Sequence, residues 1–518
     1  MANTNLFQTQ PGRALPHADT LNASRSAAYQ LSPKHALAQY AITGCLNNTY
    51  YANAESQLAE VLKLTNEVDA EFIAKTAIYC REKGYMKDMP ALLAAVLTVK
   101  GPQYVAPVFK RVIDNGKMLR NFVQILRSGA VGRKSLGTRP KKLVQAWLNN
   151  ASDEKLMQAA VGNAPSLADV VKMAHPKPDT LSREAFFAWL IGRSYQTEHL
   201  PEIVKQFEAY KADKSATMPN VPFQMLTALE LGRDEWARIA EQGSWQMVRM
   251  NLNTFARHGV FDIPGMAQQI ATKLANPELV AKARAFPYQL LAAYKMTGQD
   301  VPNPVREALQ DAMEAALNNV PSLAGNVVVC PDVSGSMQSP ATGYRQGATT
   351  AVRCIDVAGL MAAAILRKNP DARVMPFEVK VVDIKLNPRD SVITNAEKLA
   401  AIGGGGTNCS APLAKLNQEG AKVDTVIIVS DNESWVDNRR HGATETMRQW
   451  ALIKQRNPQA RLVCIDIQPH ATTQAQEGGD TLNIGGFGDD VFKLVASFAA
   501  GQMQPGHWVQ LIESVSLD

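Results

Sequence analysis

The periodicity of the apolar residues changes at Asn326, and that change fixes the class of fold. From about Ser32 to Leu317, apolar positions recur at helical spacing in short stretches separated by brief turns. Beyond Asn326, short apolar runs alternate with helical stretches. A chain of 518 residues is too long for one core. The pattern divides it into a polar arm at 1–30, a helical array at 31–320 and an α/β domain at 321–518. The arm carries two prolines and no sustained period, so it reads as extended or flexible.

In the array, Leu58, Val61 and Leu62 share one helical face, and Phe72, Ile73, Ala77, Ile78 and Tyr79 lie in or near the apolar stripe of a helix capped by Asp69. Asp88 reads as a cap, with Pro90 in the first turn. Helices are then expected near Val105–Asn115, Met118–Leu126, Lys141–Asn149, Ser152–Val161 and Ser166–Ala174. Others follow near Arg183–Arg193, Pro201–Ala209, Pro222–Leu231, Asp234–Gly243 and Trp245–His258. The last are near Met266–Ala275, Pro277–Ala285, Pro287–Thr297 and Pro304–Asn318. Such a succession predicts an α-solenoid of stacked antiparallel pairs, a HEAT-like repeat without a strict sequence period.

Downstream, strands are expected at 326–330, 373–377, 379–385, 424–430 and 461–467. Helices are expected at 354–368, 394–401, 410–418, 442–456 and 488–500. Alternation of this kind predicts a doubly wound, mostly parallel sheet, with the second and third strands a candidate antiparallel edge hairpin.

The chemistry concentrates at the ends of those strands, where open α/β sheets bind ligands. The run Val327–Cys330 leads into Asp332, Ser334 and Ser336. Gly403–Gly406 leads into Thr407, and Val426–Val429 into Ser430, Asp431 and Glu433. Carboxylates and hydroxyls are hard oxygen donors that suit a Mg²⁺-like ion. These motifs, in this order, resemble the metal-ion-dependent adhesion site (MIDAS) of von Willebrand factor A domains. The resemblance implies that Asp332, Ser334, Ser336, Thr407 and Asp431 hold a divalent ion, with one position open for an acidic residue of a partner. Neither a histidine nor a cysteine nucleophile is placed beside the motif, and two motif carboxylates are too few for two-metal hydrolysis. The site reads as one of recognition, and the chain as no enzyme.

Six cysteines are scattered singly, as Cys45, Cys80, Cys330, Cys354, Cys409 and Cys464. They are expected to be free thiols in a reducing compartment. The first residues do not read as a signal peptide, and no run approaches the ~20 apolar residues that span a bilayer. A cytoplasmic protein with no membrane partner is expected.

The charge is uneven. Residues 321–518 carry 18 Lys and Arg against 20 Asp and Glu, so the net +6 of the chain leaves +8 for residues 1–320. A basic surplus suits an anionic partner, above all nucleic acid. Six cations fall in sixteen residues, as Arg127, Arg133, Lys134, Arg139, Lys141 and Lys142, with glycines between them. Lys172, His175 and Lys177 form a second cluster. Glycines let phosphates approach the backbone, while arginine and lysine supply salt-dependent affinity.

The whole pattern resembles the Ro autoantigen family, whose helical part is the TROVE module shared by Telomerase, Ro and Vault proteins. The residues that carry the resemblance include Gly44–Tyr51, Gly132-Arg133-Lys134, Leu167–Pro178, Lys282–Pro287, Gly405–Ser410 and Ser430–Glu433. It implies a ring of helical repeats whose ends an A-type domain brings together. It also implies a ribonucleoprotein that binds noncoding Y RNA on its basic outer surface. Single-stranded 3′ ends of misfolded RNAs would thread the hole, for RNA quality control. Bacterial relatives imply a further partner, the 3′-to-5′ exoribonuclease polynucleotide phosphorylase, tethered through Y RNA. His175 matches the RNA-facing histidine of the family's Leu-Ser-His motif. The chain departs from the family at Leu156–Asn163, which lacks the cations of vertebrate relatives, and in carrying the extra Leu136-Gly137-Thr138. An alternative is a metal-dependent protein–protein adaptor on a helical scaffold.

Overall fold

The computed structural model describes residues 15–44, 46–285, 287–317, 320–344, 352–435, 442–503 and 506–518. Cys45, Phe286, Asn318 and the first fourteen residues of the expected arm lie outside the described residues. The chain forms two compact units that interleave along the sequence. One comprises the described residues up to Leu64, with Val280–Met296 and Leu309–Leu511. The other comprises Thr65–Leu279, Thr297–Ala308 and Ile512–Asp518.

The first unit holds all the described strands, β1 (Thr20–Leu21), β2 (Ala27–Gln30), β3 (Val327–Pro331), β4 (Arg373–Val374), β5 (Thr425–Ser430), β6 (Arg461–Asp466), β7 (Thr472–Thr473) and β8 (Thr481–Gly485). The main sheet runs β4-β3-β5-β6-β8, and every pairing in it is parallel. Register is set by buried apolar pairs such as Val328 with Val426 and Ile428 with Cys464. β3 and β5 are buried along their whole length, as strands covered on both faces must be. On one face, Val328, Cys330, Val426, Ile428 and Leu462 pack with Leu413, Leu416, Trp450 and Ile453. Helix Cys354–Lys368 also packs on β3 and is buried from Cys354 to Leu366. Gly359 lets helix Val392–Ala400 approach it, since a Cβ there would lie 3.0 Å from the Ala396 carbonyl oxygen.

Three expectations change here. The run 379–385 makes no strand. Glu378 N–H donates to the Lys380 carbonyl in a tight turn, and only an isolated bridge joins Phe377 to Val381. β8 was not anticipated: two glycines flank it on each side and it holds only two large apolar residues. Part of the N-terminal arm is ordered strand. β2 pairs with β1 and also with β7, setting Tyr29 opposite Thr473. Helix Pro33–Thr43 follows, and His35 Nε2 lies 3.0 Å from the Asn483 carbonyl oxygen of β8.

The second unit is helical, with no strand among its described residues. Neighbouring helices pack on one another, Ala70–Glu82 on Asp88–Lys100 and Leu167–Ala174 on Leu181–Ile191 among them. Asp69 caps as expected, its carboxylate accepting from Phe72 N–H at 2.8 Å. Asp88 does not cap: its carboxylate accepts from Asn121 Nδ2 instead, fastening one helix to another. The expected helix 245–258 is two, Trp245–Met250 and Leu252–Arg257, broken at Asn251. The expected helix 222–231 shrinks to Phe223–Leu226. The five described cysteines are buried and free. Among the described residues, no helix is long and apolar enough to cross a membrane.

Candidate metal centre and basic surface

The five expected metal ligands converge at the carboxyl end of the sheet. β3 delivers Asp332 and β5 delivers Asp431; Asp332 N–H donates to the Val429 carbonyl at 2.8 Å. Asp332, Ser334, Ser336, Thr407 and Asp431 are all buried. Ser334 N–H donates to Asp332 Oδ1 at 2.8 Å. Thr407 Oγ1 donates to Ser334 Oγ at 2.8 Å, and Ser334 Oγ lies 3.3 Å from Ser336 Oγ. Ser336 lies near enough to the Asp431 carboxyl to oppose the rise that burial causes there.

The glycine loop brings Thr407 to this cluster. Gly335 N–H donates to the Gly405 carbonyl and Gly404 N–H to the Val333 carbonyl. Gly405 sits at φ +73°, and a Cβ there would collide with the Glu378 side chain. A Cβ on Gly406 would collide with the Trp435 indole.

Negative charge is crowded at the site. Burial, and then Asp431, pushes the Asp332 carboxyl up to about 7. Burial raises Asp431 as well. Burial and Asp431 push Glu433 up to about 8. Asp466 is raised well above the carboxylate range by burial, with Asp431 and Glu433 adding to it. Among the described residues, the hydrogen-bond partners of Asp332, Asp466 and Glu433 are neutral. Ser430 Oγ donates to Asp332 Oδ2 at 2.6 Å, and Gln39 Nε2 donates to Asp466 at 3.0 Å. His470 Nδ1 lies 3.1 Å from Glu433 Oε1, but burial lowers that imidazole to about 4, so the contact is a hydrogen bond and not an ion pair.

This donor set fits a hard divalent ion: two carboxylates and three hydroxyls, all buried. Among the described residues no three His, Cys, Asp or Glu side chains converge to hold a metal. An ion here would be held by the mixed set of Asp332, Ser334, Ser336, Thr407 and Asp431.

Several neighbours of the site escaped the sequence reading. Ser430 was visible only as the residue before Asp431. Asn22 and Ser24 reach in from the N-terminal segment: Asn22 Nδ2 donates to the Ser434 carbonyl at 2.6 Å, and Ser24 N–H to Glu433 Oε2 at 3.2 Å. No local signal marks contacts across four hundred residues.

Residues 326–499 match the sequence model of the family described as the Ro60 vWA domain. The C-terminal segment is a Ro60 vWA domain. Likeness to Ro proteins also extends along the rest of the chain. It is 24% identical over 517 residues to RNA-binding protein RO60 of Deinococcus radiodurans, spanning 93% of this chain and 95% of that relative. It is 23% identical over 246 residues to RNA-binding protein RO60 of Caenorhabditis elegans, spanning 45% of this chain and 37% of that relative. The fold is similar to the crystal structure of the Deinococcus radiodurans RO (RSR) protein, with a TM-score of 0.60, 19% identity, and coverage of 91% of this chain and all of that one.

The basic residues that accompany the Ro60 vWA domain in this chain belong to the helical unit. Helix Gly116–Ser128 carries Arg127 in its last turn, and helix Thr138–Asn150 carries Arg139, Lys141 and Lys142. Helix Leu167–Ala174 carries Lys172 and ends at His175, which takes a left-handed φ of +48°. The first two helices pack on the third. Arg127 and Lys172 both lie near enough to Asp169 to hold its carboxyl lower, after its bonds with Ser166. The two sequence clusters are therefore one surface region. Arg127, Lys134, Arg139, Lys142, Lys172, His175 and Lys177 are exposed; Arg133 and Lys141 are half-buried. Two cations also serve the scaffold: Arg133 Nη1 donates to the Thr98 carbonyl at 3.2 Å and Arg139 Nη1 to the Pro102 carbonyl at 2.7 Å. Gly129, Gly132 and Gly137 all take positive φ in the loop between, where only glycine is unstrained.

Proposed function

We propose that this chain binds RNA through the basic region of its helical unit and uses the A-type domain to hold a divalent ion and a partner. The observation that carries the reading is the merging of two basic clusters, separate in sequence, where two helices pack on a third. The names of the two relatives support it, since both are called RNA-binding proteins. Phosphate contacts from lysine and arginine would supply affinity without reading sequence. The RNA class proposed is a structured noncoding RNA, including Y RNA, and the single-stranded 3′ ends of misfolded RNAs. A ring with a hole too narrow for duplex would select free ends by sterics. Partnership with polynucleotide phosphorylase, a cytoplasmic location and a role in quality control belong to the same proposal. So does the view that the chain binds and does not catalyse.

Lysines without a scaffold role give the cleanest test. Replacing Lys134, Lys142 and Lys172 by alanine is expected to weaken binding of a 3′-tailed structured RNA by gel shift. The log–log salt slope should become shallower by about one for each of these lysines that neutralises a phosphate. Unchanged affinity and slope in the triple variant would remove the basic region from the account.

The metal centre favours a second reading, the adaptor, in which an acidic side chain of another protein completes the ion. Its ligands would be Asp332, Ser334, Ser336, Thr407 and Asp431, and Mg²⁺ suits the oxygen set. The ion would supply a fixed positive charge for a partner carboxylate. Partner capture abolished equally in Asp332→Ala and on chelation, with RNA binding intact, would establish that reading alongside the first.

A further inference from the structure

We infer that the open edge of the main sheet binds a short acidic peptide as an added strand, in a groove beside β4 that shares no residue with the candidate metal centre. β4 is an outer strand of that sheet and pairs with β3 alone. Met375 N–H donates to the Val329 carbonyl at 2.9 Å and Phe377 N–H to the Pro331 carbonyl at 3.1 Å. Backbone groups alternate in direction along a strand, so the N–H and carbonyl of Val374 face away from β3. Among the described residues they have no hydrogen-bond partner. The chain then turns back along this edge. Val382 N–H donates to the Pro376 carbonyl at 2.8 Å, in register with the bridge between Phe377 and Val381. Pro376 has no N–H to return that bond. The next pair in this register, Val374 with Ile384, is not made. A groove of about 520 Å³ lies there instead.

The outer wall of the groove is pinned at both ends. Asn408 Nδ2 donates to the Val379 carbonyl at 3.0 Å, Asn395 Nδ2 to the Asn387 carbonyl at 2.8 Å, and Arg367 Nη1 to the Arg389 carbonyl at 3.1 Å. Between these points the residues alternate as in a strand: Val382, Ile384 and Leu386 are half-buried, while Asp383, Lys385 and Asn387 are exposed. Apolar side chains thus line a groove beside an unpaired backbone edge, which is a template for an added strand. Charge selects the composition of that strand. The charged residues of the lining are Arg373, Lys385, Lys415 and Asp383, three cations to one carboxylate. Glu419 pairs with Arg373 and Asp383 with Lys415, so Lys385 carries the surplus. Exposed Lys380 and Arg389 stand at the two ends of the segment. An extended peptide that alternates apolar residues with Asp or Glu matches this surface. A nucleic acid would leave the apolar lining and the Val374 amide unanswered.

The probe is a library of short random peptides, selected on the full chain. Enriched sequences should alternate apolar residues with Asp or Glu. Val374→Pro removes the outward N–H from an edge strand, where proline is tolerated, so its melting should match the parent. A selected peptide, read by fluorescence anisotropy, should bind that variant about fivefold more weakly, the worth of one backbone hydrogen bond. Ile384→Asp, on the pinned outer wall, should weaken it about tenfold or more by removing apolar contact. Chelation of divalent ions should change nothing, and excess single-stranded RNA should not displace the peptide. A library that yields no enriched peptide would overturn the inference. So would equal affinity in the parent, Val374→Pro and Ile384→Asp. Release of the peptide by chelator or by RNA would place it at the metal centre or on the basic surface, and would overturn the inference as well.

Discussion

Asp332 concentrates the tension of the candidate metal centre in one side chain. It is fully buried, faces Asp431, and accepts from the Ser334 N–H and the Ser430 hydroxyl. Two like charges in a low-dielectric site oppose each other unless a cation comes between them. Magnesium should therefore raise the melting temperature of the parent chain and leave Asp332→Asn unmoved, as calorimetry with and without chelator would read. Metal-free Asp332→Asn should be at least as stable as the metal-free parent; a marked loss would mean that the carboxylate is needed for packing alone. His35 carries a different dependence. Burial lowers its imidazole to about 4, against an opposing hydrogen bond to the Asn483 carbonyl, while the unfolded chain titrates near 6.5. Its contribution is complete above 6.5 and is lost as pH falls toward 4, because the unfolded state takes up a proton that the folded state refuses. The stability difference between the parent and His35→Gln should shrink by about 1.4 kcal/mol per pH unit across that window in urea titrations. A difference that stays flat would mean that His35 is protonated in the fold. At this scale the convergence of Asp332, Ser334, Ser336, Thr407 and Asp431 was legible, because their motifs are short and follow apolar strands or a glycine loop. Asn22, Ser24 and His470 were not identified as neighbours of the site, because their roles arise only when distant segments meet.

At the scale of elements, the central strands and the helix Cys354–Lys368 were plain in the sequence, since continuous burial writes continuous apolar runs. β8 was not, because pairing with β6 rather than composition makes Thr481–Gly485 a strand. Asp88 misled for a related reason: a carboxylate at a helix start has two uses, and Asn121 claims it. Packing sets the energetic weight of these elements. Ile428 is 3% exposed within β5 and its core layer, so Ile428→Ala should cost about 2–5 kcal/mol in denaturant unfolding. Asn115 caps the helix that presents Arg127, its side chain accepting from Met118 N–H at 3.0 Å. Asn115→Ala should cost about 1 kcal/mol and lower RNA affinity only as far as that helix frays.

For the whole molecule, the balance of charge links fold to function. The +8 surplus of residues 1–320 and the −2 of residues 321–518 give the chain one part suited to an anion and another suited to a cation. The sequence separates these parts at Asn326, yet the compact units do not follow that division: the segment up to Leu64 packs with the sheet. Periodicity reports which residues are helical and which are strand, but it does not report which helices a sheet recruits. The central claim, that the helical unit binds RNA by its phosphates and selects free 3′ ends, is tested most directly by one gel-shift series. A structured RNA bearing a single-stranded 3′ tail is compared with the same RNA lacking it, at rising salt. The account predicts binding that depends on the tail and falls steeply as salt rises. Binding of neither RNA, or binding indifferent to both tail and salt, would contradict it.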